Sequence, residues 1–418
     1  MAYAPTTSVF PSERRSLGVA VEAVAGTGVL PANTVPVADF NPEDKVTGLL
    51  DESLRSAMAG VYGYTQGPYV ADLAIPSSIV YGDMIGFLLY NILGDLTETG
   101  TEVGTDTTTI NHGGGYPAGT TGVITVTSGT AFSAGAPGFV QIDTGTSAEV
   151  VAYSAAASTT ITLSGTTRFA HATTVAVTEV TAPYTHVFSL LNGTGNAQPP
   201  TLTLTDYNFI NSVVQSRWYP FTRFSEITFT GNAEQLFKYA AKGMGYANSV
   251  PGSAPAVNVS AVPAEPAWNS NVGIGGTASA SPNYSVAEWE ITLTRVTEAY
   301  FTASGQQNPY TIGAGKFTAA SKWNFSPAIS EQPLTELLSN TQPQTQIIQT
   351  NGLAGAAKVS VQFDMAVTAF DTAVLQSSKA LLGYNDSADL IGNATNTGQS
   401  AGYSPLQVTL VNGFATYA

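Results

Sequence analysis

Glu288 and Glu290 stand two residues apart in VAEWEITLTRV, a spacing that in an extended chain sends both carboxylates to one side. Paired carboxylates on a β-sandwich are the machinery of many glycosidases, one as acid and the other as nucleophile or base. The pair alone is weak testimony, because any exposed strand with two acids produces it. No companion carboxylate or sugar-stacking aromatic shares that side, since Trp289 faces the other way. The three histidines, His112, His171 and His186, sit in no metal-ligand or nucleophile–base spacing. His112 lies in a linker-like stretch, and the other two flank strands, where surface or turn positions are expected. GIGGTA at Gly273 to Ala278 fits a dinucleotide fingerprint only formally, because it follows a Pro-rich connector instead of a βαβ strand. No P-loop, zincin or nucleophile-elbow pattern occurs, so the expectation is no catalytic set, no cofactor and no metal.

The totals point away from several classes. A net charge of −15 disfavours a basic groove for nucleic acid, which needs clustered Lys and Arg. Cysteine is absent, which removes disulfide and thiol chemistry. The start, MAYAPTTSVFPSERR, has no basic segment leading into an apolar core, and the longest apolar stretch, Ile85 to Leu93, is too short to span a bilayer. Charged residues make up only 10% of the chain, against about 25% in a typical soluble domain. A surface of Thr, Ser, Asn, Gly and Ala is weakly solvated, so much of it is expected to be buried in an assembly.

The elements that must position these residues read mainly as strands. Alternation marks VAEWEITLTRV, with Trp289, Ile291 and Leu293 on one face, and KVSVQFDMAV, with Val359, Val361, Phe363, Met365 and Val367 opposing Ser360, Gln362 and Asp364. Further strands are expected near Leu17 to Val24, in PTLTLTDY, and near Leu406 to Val411. The stretch from Val46 to Tyr81 reads as two long strands joined by an extended loop. Two short helices are predicted, one in GDMIGFLLYNILG with Ile85, Leu88, Leu89 and Ile92 on one stripe, and one within Pro327 to Asn340 with Leu334, Leu337 and Leu338 inward. EITFTGNAEQLFKYAAKGMGYAN predicts a strand at Ile227 and Phe229 running into a further helix over Leu236, Phe237, Ala240 and Met244. Asn232 would cap that helix, and Gly243 and Gly245 would end it.

Between about Gly104 and Ala182 the texture becomes short strands separated by Gly/Thr/Ser turns: VITVT, GFVQIDT, EVVAYS, TITLS and TVAVTEV. With TETGTEVGTDTTTINHGGG read as a flexible linker, residues 104–182 form a small inserted all-β domain, and 1–103 with 183–418 form the larger one.

The order of these segments resembles a family. GVAVEAVAGTGVLP, the YGYTQGPYVADL hairpin, the GDMIGFLLYNILG helix, PTLTLTDY, EITFTGNAEQLFKYAAKG, WNSNVGIGG, EWEITLTRVTEAYFTASGQQNPYTIGAGKF and SPLQVTLVNG together resemble the major tail tube proteins of long-tailed bacteriophages. The resemblance spans nearly the whole chain outside the insertion and rests on order and texture, without a single diagnostic motif. It implies a mainly β fold, a sandwich or barrel with one or two short packed helices, whose copies form hexameric rings stacked into a tube. It implies partners as well: the same chain, then tape measure, tail terminator and tip proteins. Genomic DNA would pass through without sequence-specific binding, and the inserted domain would stand on the tube exterior. On this reading Glu288, Glu290 and Asp364 are candidate lumen-facing acids that repel passing phosphates. Asp51, Arg55, Tyr62 and Tyr64 of the long hairpin are candidate contacts between rings. The competing expectations are a virion-surface or bacterial adhesin-type binding module and a β-sandwich glycosidase built on Glu288 and Glu290.

Overall fold

The computed structural model describes residues 15–418 apart from 54, 57, 133–137, 194–196, 209–215, 248–257, 259, 261, 327–331 and 379–380. Most of the Pro-rich connector and the N-terminal arm therefore lie outside the described residues. In chain order the first strands are β1 (Arg15–Val21), β2 (Asn33–Val35), β3 (Asn41–Asp51) and β4 (Gly63–Ile79), followed by helix α1 (Gly86–Leu93). Next come β5 (Gly94–Thr109), β6 (Gly122–Thr125), β7 (Gly138–Ile142), β8 (Glu149–Ala157), β9 (Thr160–Leu163) and β10 (Ala176–Leu190). The chain continues through β11 (Leu202–Asn208), β12 (Arg217–Asn232), β13 (Lys238–Gly245), β14 (Ser270–Ile274), β15 (Val286–Tyr300) and β16 (Thr311–Phe325). It closes with helix α2 (Gln332–Ser339), β17 (Thr345–Thr350), β18 (Ser360–Met365), β19 (Thr368–Ser378), β20 (Leu381–Leu390) and β21 (Gln407–Asn412).

The strands form two antiparallel sheets packed face to face, the mainly β sandwich expected from alternation. The first runs β19-β20-β16-β15-β12 and forks there, because β12 is long enough to serve two neighbours. Its first half pairs with β11, which leads to β1 and β2, and its second half pairs with β13, which leads to β4 and β3. The second sheet runs β14-β17-β18-β21-β10-β7-β8-β9-β6, with β5 also on β10. Aromatic rings join the two layers: Phe363 of β18 lies 5.1 Å from Phe229 and 5.9 Å from Trp289. Large side chains of this kind each contribute roughly 1.5–3 kcal/mol on burial, so this seam is a principal source of cohesion.

Helix α1 is wedged between the layers, touching β1 and β12 on one side and β5 and β10 on the other. The expected stripe of Ile85, Leu88, Leu89 and Ile92 is buried, but so are Phe87, Asn91 and Leu93, because both sides of the helix meet a sheet. Asn91 is accommodated by hydrogen bonds: its Nδ2 donates to Pro200 and Thr222 carbonyls and its Oδ1 accepts from Phe224 N. Gly94 ends the helix in the left-handed region, φ 89°, which favours glycine. Arg295 then donates to the orphan carbonyl of Ile92 at 2.8 Å. Burial pushes that guanidinium down to about 10.

The segment after Asn232 corrects the sequence reading. Residues 238–245 form strand β13, not a helix, and close a hairpin on β12 while also pairing β4. Phe237, Tyr239 and Ala241 face the core while Lys238 and Lys242 face out, so period two fits as well as period 3.6. The decision comes from tertiary pairing, since β12 and β4 would otherwise both present open edges. Gly243 suits this place: a Cβ there would meet the Arg223 carbonyl oxygen at 2.5 Å.

Helix α2 occupies the predicted place, with Leu334 and Leu337 against the core, while Leu338 is 78% exposed and belongs to the outer side. The flexible linker expected before the insertion is instead the second part of β5, paired with β10 up to Thr109. The boundaries expected at 104 and 182 fall inside these two strands. Beyond them a separate apolar cluster gathers Ile124, Phe132, Val140, Val151, Tyr153 and Ile161.

Candidate functional site

Strand β15 presents Glu288 and Glu290 on the side opposite Trp289, as alternation predicts. Across the ladder, Glu290 faces Lys322 and then Ser387, and Glu288 faces Asn324 and then Asn385. These side chains, with Thr372 and Val374 from β19, line an open groove of about 450 Å³ on the outer face of the first sheet. Lys322 Nζ lies 2.8 Å from Glu290 Oε1, with the lysine mostly exposed. A glycosidase requires a second free carboxyl held a few ångströms from the first on either side of a sugar. Glu290 is occupied by a lysine.

Asp364 does not join them. It sits on β18 of the other sheet, on the side opposite Phe363, where Gln346 and Gln362 amides donate to it at 2.5 and 2.7 Å. Because Phe363 and Trp289 meet in the core, Asp364 and the Glu288/Glu290 pair lie on opposite outer faces of the sandwich. The three acids expected together are therefore separated by the full thickness of the protomer.

Of the four hairpin residues, Asp51, Arg55 and Tyr62 come together, while Tyr64 stands on β4 opposite Leu50. Asp51 accepts from Ser53 N and Oγ at 3.1 and 2.6 Å and forms an ion pair with Arg55, whose guanidinium stacks 4.9 Å from the Tyr62 ring. The Ser53 hydroxyl, then its backbone N–H, hold the Asp51 carboxyl below its ordinary range. The tip is thus pre-shaped by its own polar groups. The strands beneath it are unusual, for β3 is exposed along nearly its whole length on both faces. Val46, Leu49, Leu50, Met58, Val61 and Tyr64 all stand in solvent, Met58 completely. Midway along the hairpin, Gln307 in the β15–β16 turn bonds to Tyr69 and Gly67, and Tyr300, Phe301 and Tyr310 flanking that turn are exposed too. Exposed apolar surface of this extent marks an interaction site.

The functional-looking chemistry that sequence spacing missed is internal. His171 and His186, expected at surface or turn positions, are both buried. Glu98 of β5, also buried, accepts from Tyr417 N and Thr416 Oγ1 and faces His186 Nδ1 at 3.1 Å. Arg168 Nη2 lies 2.9 Å from Glu98. Glu149, at the start of β8, accepts from Arg168 N at 2.6 Å and meets His171 Nε2 at 2.6 Å. The other nitrogen of His186 meets the Phe414 carbonyl, and that of His171 meets Asp143. Both rings face acceptors at both nitrogens. Burial pushes the Glu98 carboxyl up, but Arg168 and then His186 outweigh it and leave it below its ordinary range. The hub joins β5, β10, the insertion and the C-terminal residues, and it is closed to any substrate. His112 is elsewhere, edge-on to Tyr116 at 5.5 Å.

Two further carboxyls are buried, Glu265, near the Gln349 amide, and Asp386, whose oxygens have no hydrogen-bond partner among the described residues. Burial pushes each up to about 7, and Glu336 of α2 adds to the effect at Asp386. Among the described residues no group of three or more His, Cys, Asp or Glu is placed to hold a metal, and no helix is long and apolar enough to cross a membrane. No protein-family model and no curated protein matches the chain.

Proposed function

We propose that the chain is a structural virion protein that assembles into stacked hexameric rings, forming the tail tube through which a long-tailed phage delivers its genome. The observation that carries this reading is the β3–β4 hairpin, whose outer part is exposed on both faces and presents Val46, Leu49, Leu50, Val61 and Tyr64 that no other described element covers. A chain with only 10% charged residues has little else to keep copies apart once such a surface is presented. The pre-shaped tip of Asp51, Arg55, Tyr62 and Tyr64 reaches the neighbouring ring, and the apolar strands below it are covered there. Glu288 and Glu290, the latter paired with Lys322, are the acids assigned to the bore, and the chain's overall charge of −15 disfavours adhesion of DNA. Tape measure, terminator and tip proteins are the further partners of such a tube. The strands between 104 and 182 stand outside it. A peptide tag inserted in the turn at Gly119, a glycine with open space around it, should bind its antibody on assembled particles.

The test is negative-stain microscopy of the purified full chain. Six-fold rings or tubes are expected. A field of dispersed single particles at concentrations where the protein remains folded would sink the assignment.

A further inference from the structure

A second surface has a different character. The groove between the turn before β14 and the entry to β15 measures about 350 Å³, at the lower end of the roughly 300–1,000 Å³ of small-ligand sites. Two aromatic side chains border it, Trp268 at 68% and Tyr284 at 92% exposure. Large rings held this far into solvent gain almost nothing for the fold. Between them stand Ser270, Asn271 and Asn283, and the indole of Trp289 lines the inner side. Gly231 permits that placement, since a Cβ there would meet the Trp289 ring at 2.3 Å. The Asn283 carboxamide is fixed, its Oδ1 accepting from Ser285 N and Oγ at 2.9 and 2.7 Å, which leaves Nδ2 as a donor. Ser270 Oγ is held by Ala267 O and Gln349. In a chain of net charge −15, no charged side chain among the described residues lines this groove.

We propose that this groove binds a neutral oligosaccharide. A pyranose ring has apolar C–H faces that stack on planar aromatic side chains and an equator of hydroxyls that both donate and accept. Trp268 and Tyr284 supply the planes, Asn283 Nδ2 supplies a donor, and the Asn271 carboxamide supplies a donor and an acceptor. A proline-rich peptide would use the rings, but it offers mainly carbonyl acceptors and would leave the Asn271 amide oxygen idle. The absence of charged lining disfavours sulfated or uronic sugars. With no carboxyl in the groove, the sugar is held and not cleaved, since Glu288 and Glu290 lie on the other side of β15. The assignment does not depend on the tube reading.

Titration of the full chain, followed by tryptophan fluorescence, tests it. The probes are maltohexaose, cellohexaose, laminarihexaose and chitohexaose, with a heparin hexasaccharide and a peptide copying residues 249–266 as contrasts. Trp268 is exposed while Trp218 is half-buried and Trp289 and Trp323 are buried, so binding should blue-shift the emission. At least one neutral sugar should saturate with Kd between about 10 µM and 1 mM. Trp268→Ala and Tyr284→Ala should each weaken it about tenfold or more with an unchanged far-UV spectrum, and Trp268→Phe should restore part of the affinity. The proposal is overturned if none of the four saturates by about 10 mM. It is equally overturned if both alanine variants bind as before, or if only the heparin fragment or the peptide binds.

Discussion

The hub around Glu98 and the β3–β4 hairpin divide the molecule's polar and apolar character in the reverse of the usual way. The hub places carboxylates, a guanidinium and two imidazoles in the interior, each answered by another group of the same chain. The hairpin places Val46, Leu49, Leu50 and Met58 in solvent, with no other described element over them. Buried charge that is paired adds little net stability but is costly to break, because the survivor is left desolvated. Exposed apolar surface costs little to alter within the monomer and much to alter in a complex. Internal coherence and external attachment are thus written in separable residues.

The largest expected effect comes from breaking the hub. Arg168→Met leaves Glu98 and Glu149 facing each other's charge, and urea unfolding should show a loss of about 3–5 kcal/mol. A loss below about 1 kcal/mol would mean that the buried carboxylates are not held by Arg168. Next is Gly86→Ala in α1, where a Cβ would meet the Tyr417 ring at 2.3 Å. Overpacking of this kind should cost about 1–3 kcal/mol, and Tyr417→Phe in the same chain should not relieve it.

The titration behaviour sharpens the contrast between answered and unanswered charge. Glu98 is depressed, so the stability it contributes is present above the unfolded carboxylate value of about 4.3 and is lost as pH falls through its folded value. Asp386 is raised to about 7, so the folded state binds a proton that the unfolded chain releases near about 3.9. Its contribution is therefore intact at low pH and lost as pH rises toward 7. Asp386→Asn should stabilise the protein by about 1–3 kcal/mol at pH 8 and leave it little changed at pH 4, read as a shift in thermal midpoint. Equal shifts at both pH values would show that the carboxyl is not protonated in the fold.

Much of the architecture is legible in the sequence where side chains differ sharply between faces. Trp289, Ile291 and Leu293 against Glu288, Glu290 and Thr292 leave only one way to lay β15, and Val361, Phe363 and Met365 do the same for β18. Residues 238–245 were not legible, because Lys, Ala and Gly at those positions suit either period and the outcome depended on two distant strands. The hub was hidden for another reason. Glu98, Glu149, Arg168, His171 and His186 share no local spacing, and only the fold brings them together. A signal existed nonetheless: in YTHVFSLL, His186 keeps the inward phase of Tyr184 and Phe188, and Glu98 keeps that of Leu96. A polar residue in the buried phase of a strand marks an internal partner.

The smallest effect on the monomer carries the largest consequence for function. Leu49→Asp with Leu50→Asp, both exposed, should alter unfolding free energy by no more than about 0.5 kcal/mol. Sedimentation velocity of the unaltered chain and this double variant at matched concentrations tests the central claim most directly. The unaltered protein should sediment as multiples of the 43.2 kDa chain and the variant as the single chain. Identical sedimentation of the two, whether both single or both assembled, would contradict the role given to the hairpin.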